Sequence, residues 1–320
     1  MSGVSAPGLI DLQINGAYGH DFTSDPTSIW EVGRRLPESG VTAFLPTIIT
    51  APDGVIEEAQ AALRSRPASY VGAEPLGLHL EGPMISPQRP GVHELALMKS
   101  PSLGLLADWS GVGMVTLAPE LAEAEPLVKA LVDMGVVVLA GHSAATYDEG
   151  VAAFGWGVKG VTHLFNAMAP FLHRAPGLIG AALDTRAFAT VICDGLHVDP
   201  AVIRAVWRLL GRDRFVLITD AMAAAGIGDG EFRLGGAQVQ ASGGQVVSRT
   251  GQLAGCALSL DQAVRNLVAF TGCTPLEALG AASTNPARLL GLGDTKDQVV
   301  FDDGLAVVST SIGGRVVWER

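Results

Sequence analysis

Val136-Val137-Val138-Leu139-Ala140-Gly141-His142 and, a little further on, Val158-Lys159-Gly160-Val161-Thr162-His163 are two apolar runs that each end on a histidine. Runs of this kind suit strands buried on both faces, and their last residue is where a parallel sheet delivers a side chain to a site. Two imidazoles at neighbouring strand ends suggest a metal site, although each could also be satisfied locally.

Similar runs recur along the chain, at 9–15, 41–50, 76–81, 114–118, 136–142, 160–166, 188–193 and 215–220. Helix-like stretches at 28–38, 54–64, 123–134, 147–154 and 200–210 separate most of them. Eight strands with intervening helices predict an α/β fold, a (β/α)8 TIM-like barrel whose active site lies at the C-terminal strand ends. An open doubly wound sheet fits less well, because no Gly-x-Gly-x-x-Gly loop follows the first strand. Glu81, His142, His163, Asp194 and Asp220 each fall at or just past a strand end, and a barrel would gather them into one ring.

Beyond the eighth run, short strands at 231–234, 237–241 and 245–248 are joined by Gly-Gly and Ser-Gly-Gly turns, which reads as an inserted hairpin. Helices resume at 259–270 and 275–282, and Asn285-Pro286 opens a short one. The tail carries strands at 305–309 and 315–318. The expected organisation is a barrel over 7–296, with an inserted β region at about 229–256, and C-terminal strands of a small, reduced β element over 297–320.

Composition agrees with this. Of 320 residues, 48% are hydrophobic, 17% charged and 6% aromatic, with 40 glycines, which suits strands packed beneath helices. A net charge of -11 and the absence of any Lys/Arg run exclude a nucleic-acid footprint. Cys193, Cys256 and Cys273 are odd in number and lack metal spacing, so they read as core thiols in a reducing compartment. Neither a leader sequence nor a membrane-spanning run is legible, and a cytoplasmic location is expected.

Glu81, in His79-Leu80-Glu81-Gly82-Pro83, adds an oxygen ligand to the two imidazoles. The set Glu81, His142 and His163 suits one divalent ion, most simply Zn²⁺, with a coordination position left open. Asp220 closes the run Val216-Leu217-Ile218-Thr219 with a carboxylate, a costly place for a charge that serves nothing. Beside a metal it could take a proton from water and return it to a leaving group.

These stretches, with Pro7-Gly8-Leu9-Ile10-Asp11, Gly141-His142-Ser143-Ala144, Thr162-His163-Leu164-Phe165-Asn166-Ala167-Met168, Asp194-Gly195-Leu196-His197 and Thr219-Asp220-Ala221, resemble the N-acetylglucosamine-6-phosphate deacetylase family of the amidohydrolase superfamily. The ordered match runs from about Pro7 to Leu290. The resemblance implies metal-dependent hydrolysis of an N-acetyl amide, with Glu81, His142 and His163 as metal ligands and Asp220 as catalytic acid/base. It also implies substrate contacts at Val92, His93, Asn166, Ala167, Leu253, Ala254 and Gly255, and phosphate contacts at Arg174 and His197. In relatives one phosphate contact comes from the neighbouring subunit, which implies a homodimer.

Two departures from the family pattern carry consequences. Where many amidohydrolases have His-x-His at the end of strand one, this chain has Gln13 and Asn15, poor ligands that imply one metal rather than two. Six residues precede Pro7, whereas relatives usually carry several strands there, so the small β element is reduced or the start truncated. Three other readings remain open at this stage. They are a galactosamine-epimer deacetylase, a dihydroorotase-like cyclic amidase, and a sugar-phosphate-binding barrel without catalysis. The second normally uses a carbamylated lysine, and the fourth run ends instead on Ala118-Pro119-Glu120.

Overall fold

The computed structural model describes residues 3–320; Met1 and Ser2, part of the stretch read for a leader, lie outside them. Eight parallel strands form the barrel: Leu9–Ile14, Val41–Ile49, Leu78–Glu81, Val112–Leu117, Val137–Ala140, Gly160–Val161, Phe188–Ile192 and Phe215–Ile218. Each follows one of the eight predicted runs, most of them ending one to several residues sooner. The chain leaves the ladder early because His142, His163 and Asp220 adopt left-handed backbone, with φ of 46°, 32° and 52°. That conformation is unfavourable for residues with a Cβ and is tolerated where surrounding structure enforces it.

Strand periodicity explains how one ring of polar groups sits on an apolar barrel. Ile10, Leu12, Ala43, Leu45, Met114, Val137, Leu139, Ile192, Val216 and Ile218 form one buried cluster inside the barrel. The intervening residues Phe44, Leu78, Leu80, Val115, Leu117, Val138, Ala140, Val191 and Leu217 belong to the second cluster, under the helices. Side chains alternate with period two. Counting up the inward face from Val216 and Ile218 therefore reaches Asp220, and the outward Leu78 and Leu80 leave His79 and Glu81 pointing in.

Strand one and strand eight share no continuous ladder. They are joined by Asn15 N–H to Ala221 O (2.7 Å) and by Thr219, whose Oγ1 donates to Asp11 Oδ2 (2.6 Å) and whose N–H donates to Asp11 Oδ1 (3.3 Å). Backbone and side-chain bonds together thus close the barrel beside Asp220.

The helices begin where the sequence supplies acceptors for their open N–H groups. Thr146 and Glu149 form a reciprocal capping box on Tyr147–Trp156, Thr274 and Glu277 another on Pro275–Ala282, and Asp199 caps Pro200–Leu210 with proline in the first turn. The helix Gly177–Asp184 was not predicted, because its apolar, glycine-containing sequence shows no polar face; it is buried almost throughout. The insertion is a three-stranded antiparallel sheet of Gly230–Leu234, Ala237–Ser242 and Gln245–Ser248. A separate four-stranded sheet contains the C-terminal strands Gln298–Phe301, Val307–Ile312 and Arg315–Glu319, with Val4–Pro7 pairing on its edge. No helix among the described residues is long and apolar enough to cross a membrane.

Candidate active site

A cavity of about 370 Å³ opens at the C-terminal ends of the strands, lined among others by Glu81, His93, His142, His163, His197 and Asp220. Glu81, His142 and His163, all buried, turn their ligand atoms to one point. Glu81 Oε1 lies 2.7 Å from His163 Nε2 and 3.2 Å from His142 Nε2, and the two ring nitrogens are 3.2 Å apart. Ligands at about 2.0 Å around a tetrahedral ion stand roughly 3.3 Å from one another, so this spacing fits a single Zn²⁺-sized cation.

The tautomer of His142 fits the same reading. Its Nδ1 lies 3.1 Å from Arg89 O, which can only accept, so Nδ1 carries the proton and Nε2 presents a lone pair. That lone pair faces the Glu81 carboxylate, acceptor against acceptor, an arrangement that a cation between them relieves. Two glycines make the approach possible. A Cβ on Gly141 would lie 2.8 Å from Thr116 Cγ2, and one on Gly91, whose φ is +56°, would lie 3.0 Å from His142 Cε1.

Gln13 and Asn15 stand beside this centre as donors. Gln13 Nε2 donates to both Glu81 Oε1 (2.9 Å) and Asp220 Oδ1 (3.0 Å), and Asn15 Nδ2 donates to the same Asp220 oxygen (2.7 Å). Asp220 Oδ1 is therefore occupied, and Oδ2 is the oxygen left for other work. Burial, reinforced by the charge of Glu81, raises the Asp220 pKa from 3.8 to about 6. For Glu81 burial acts against the charge, yet the surrounding rings of His142, His163 and His93 hold its carboxyl well below the ordinary value.

His93 is buried against the ring of His142, with centroids 4.5 Å apart. Its Nδ1 accepts the Thr50 N–H (3.3 Å) and contacts Thr50 Oγ1 (2.8 Å), so the ring proton sits on Nε2, the atom 3.7 Å from Glu81 Oε2. Burial first, and then the neighbouring His142, lower its pKa to about 4. His93 is thus a neutral imidazole with an N–H to donate.

Val92, Asn166, Ala167, Leu253 and Gly255 line the same cavity, and Ala254 is buried behind them. Arg174 is different: it sits on an exposed segment, with Phe171 and Leu172 more than half exposed, and does not line the cavity of its own chain. Sequence reasoning passed over Arg89, Thr50 and Glu120. Glu120 accepts from Ser143 Oγ (2.7 Å) and Ala144 N–H (2.6 Å) and so fixes the turn that carries His142. A carboxylate just past the fourth strand was the available signal. The three cysteines are free thiols, two of them buried.

The model of the amidohydrolase family matches residues 4–299. N-acetylglucosamine-6-phosphate deacetylase of Bos taurus is 38% identical over 343 aligned residues, covering 99% of this chain and 84% of that protein. N-acetylgalactosamine-6-phosphate deacetylase of Escherichia coli O157:H7 is 39% identical, covering 97% and 86%. Among solved structures, an aspartate-to-alanine variant of N-acetyl-D-glucosamine-6-phosphate deacetylase from Mycobacterium smegmatis, in complex with N-acetyl-D-glucosamine-6-phosphate, superposes with a TM-score of 0.91 at 33% identity, covering 99% of this chain and 87% of that one.

Proposed function

The chain belongs to the amidohydrolase family, and from that premise we propose that it removes the acetyl group of N-acetylglucosamine 6-phosphate, giving glucosamine 6-phosphate and acetate. One observation carries the reading: the convergent Glu81, His142 and His163 share a single cavity with Asp220, whose raised pKa suits an acid/base. A barrel that only bound a sugar phosphate would have no use for that combination.

Glu81, His142 and His163 would hold one divalent ion, most simply Zn²⁺, which when bound supplies Lewis-acid polarisation of the amide carbonyl and a more acidic water. Asp220 Oδ2 accepts a proton from the attacking water as its oxygen adds to the acetyl carbon. Gln13 and Asn15 keep the carboxylate aimed through its other oxygen. His93 donates its Nε2–H toward the acyl oxygen as charge builds there, and its neutrality lets it do so without competing for the cation. When the carbon–nitrogen bond breaks, Asp220 returns the proton to the departing amine. Val92, Asn166, Ala167, Leu253, Ala254 and Gly255 shape the sugar pocket, and His197 meets the phosphate.

Arg174 supplies the second phosphate contact, from the neighbouring subunit of a homodimer. Its exposed segment, with apolar Phe171 and Leu172 beside it, supports burial against a partner. The galactosamine epimer is retained as a second substrate, because a deacetylase of that sugar is as similar to this chain as the glucosamine enzymes.

The test is acetate release from N-acetylglucosamine 6-phosphate, its galactosamine epimer and the unphosphorylated sugar, before and after chelation and Zn²⁺ restoration. Turnover of a phosphorylated sugar that is lost on chelation and restored by Zn²⁺ is expected. Full activity after chelation would refute the metal assignment, and no acetate from either phosphate would refute the substrate.

A further inference from the structure

Asp194 follows the seventh barrel strand and is absorbed by no step above, yet both of its carboxylate oxygens are engaged. Its Oδ1 accepts Leu196 N–H (2.8 Å) and His197 N–H (2.9 Å), and its Oδ2 takes His197 Nδ1 at 2.7 Å. Both side chains of the pair are 6% exposed. Cys256 Sγ lies 3.5 Å from the same Oδ2, and Cys256 N–H donates to Asp220 O (2.9 Å). The Asp194–His197 pair is thereby tied to the strand end that carries the base.

The two oxygens do different things. Oδ1 shapes a turn, which an asparagine oxygen would do equally well. Oδ2 engages the imidazole, and only there is a carboxylate required. With Nδ1 committed to Asp194, Nε2 is the one ring atom of His197 left for the cavity it lines. A phosphate oxygen at Nε2 would place anionic acceptors at both ring nitrogens, and both must then carry protons to donate.

We propose that Asp194 is a positioning residue that sets the preference for a phosphorylated sugar, acting through His197 Nε2. This rests on the deacetylase reading of the site. Without the carboxylate, His197 can still donate one neutral hydrogen bond but no longer a charge-assisted one, a difference worth about tenfold in binding.

The experiment measures Asp194→Asn, His197→Gln and the double variant as zinc-loaded enzymes, on N-acetylglucosamine 6-phosphate and on N-acetylglucosamine, with inorganic phosphate as competitive inhibitor. In Asp194→Asn the preference for the phosphorylated sugar falls about tenfold through KM, phosphate inhibition weakens by a similar factor, and kcat on the two sugars moves together. The double variant is no worse than His197→Gln. An equal loss of kcat/KM on both sugars, or an additive double variant, would overturn the proposal. So would failure of both Asp194→Asn and Asp194→Ser to fold, since the carboxylate would then be structural. Should the wild type release no acetate, the deacetylase reading fails alone; binding of inorganic phosphate to wild type and Asp194→Asn, followed calorimetrically, still decides the role of Asp194.

Discussion

Gln13→Leu tests the arrangement around Asp220 and its proposed role as base most directly. Leucine nearly fills the glutamine's volume but donates nothing, so two buried carboxylates each lose a donor, Glu81 at 2.9 Å and Asp220 at 3.0 Å. A hydrogen bond to a charged group contributes roughly 1.5–3 kcal/mol, which sets an upper limit near 6 kcal/mol for the pair. The loss should be smaller. Asp220 keeps Asn15 at 2.7 Å, and Glu81 keeps His163 at 2.7 Å. About 2–4 kcal/mol is the expected range, or a 30- to 1,000-fold fall in kcat/KM for acetate release if it is expressed mainly in the transition state. Bound zinc, measured by atomic emission, should stay near one per chain. Activity within threefold of wild type would refute the view that Gln13 orients the base. Loss of the metal together with activity would instead place its role at Glu81.

Other expectations follow from the same contacts. Asp220→Asn should abolish turnover while leaving one metal per chain; two metals in active wild type would contradict the reading of Gln13 and Asn15. Wild-type kcat/KM should fall as pH drops through a value no higher than about 6, the Asp220 pKa, because a bound cation beside the carboxylate can only lower it. Thr50→Val removes the 2.8 Å hydroxyl contact to His93 and should cost about tenfold in kcat/KM, with Thr50→Ser restoring most of it. Asp11, raised by burial from 3.8 to about 7, stays protonated in the folded chain where the unfolded chain has released its proton. Its contribution to stability is therefore full below about 4 and is lost as pH rises toward 7. At most about 4 kcal/mol is involved, and Asp11→Asn should remove that slope in denaturant melts taken across the range.

The eight strands, the inserted sheet and most of the helices were legible in the chain because each depends on local information. Apolar runs mark strands buried on both faces, capping residues mark helix starts, and glycine pairs mark tight turns. Glu81, His142, His163 and Asp220 were legible as well, since period-two alternation carries a strand's inward face up to its end. The helix at Gly177–Asp184 was not, because burial on every side erases the amphipathic signal. Gln13 and Asn15 could be read only as ligands that were missing. Their work as donors to Asp220, like the roles of Thr50, Arg89 and Glu120, depends on contacts between residues far apart in the chain.

Sequence alone determined the barrel and the ring of polar side chains at its strand ends, because a strand's periodicity and its terminal residue are properties of consecutive positions. Tertiary structure decided which ring nitrogen of His142 and His93 carries the proton, which oxygen of Asp220 is free, and that Arg174 lies outside the cavity of its own chain. Those depend on a carbonyl, an amide or a solvent boundary brought close by the closure of the barrel, and spacing along the chain does not encode them.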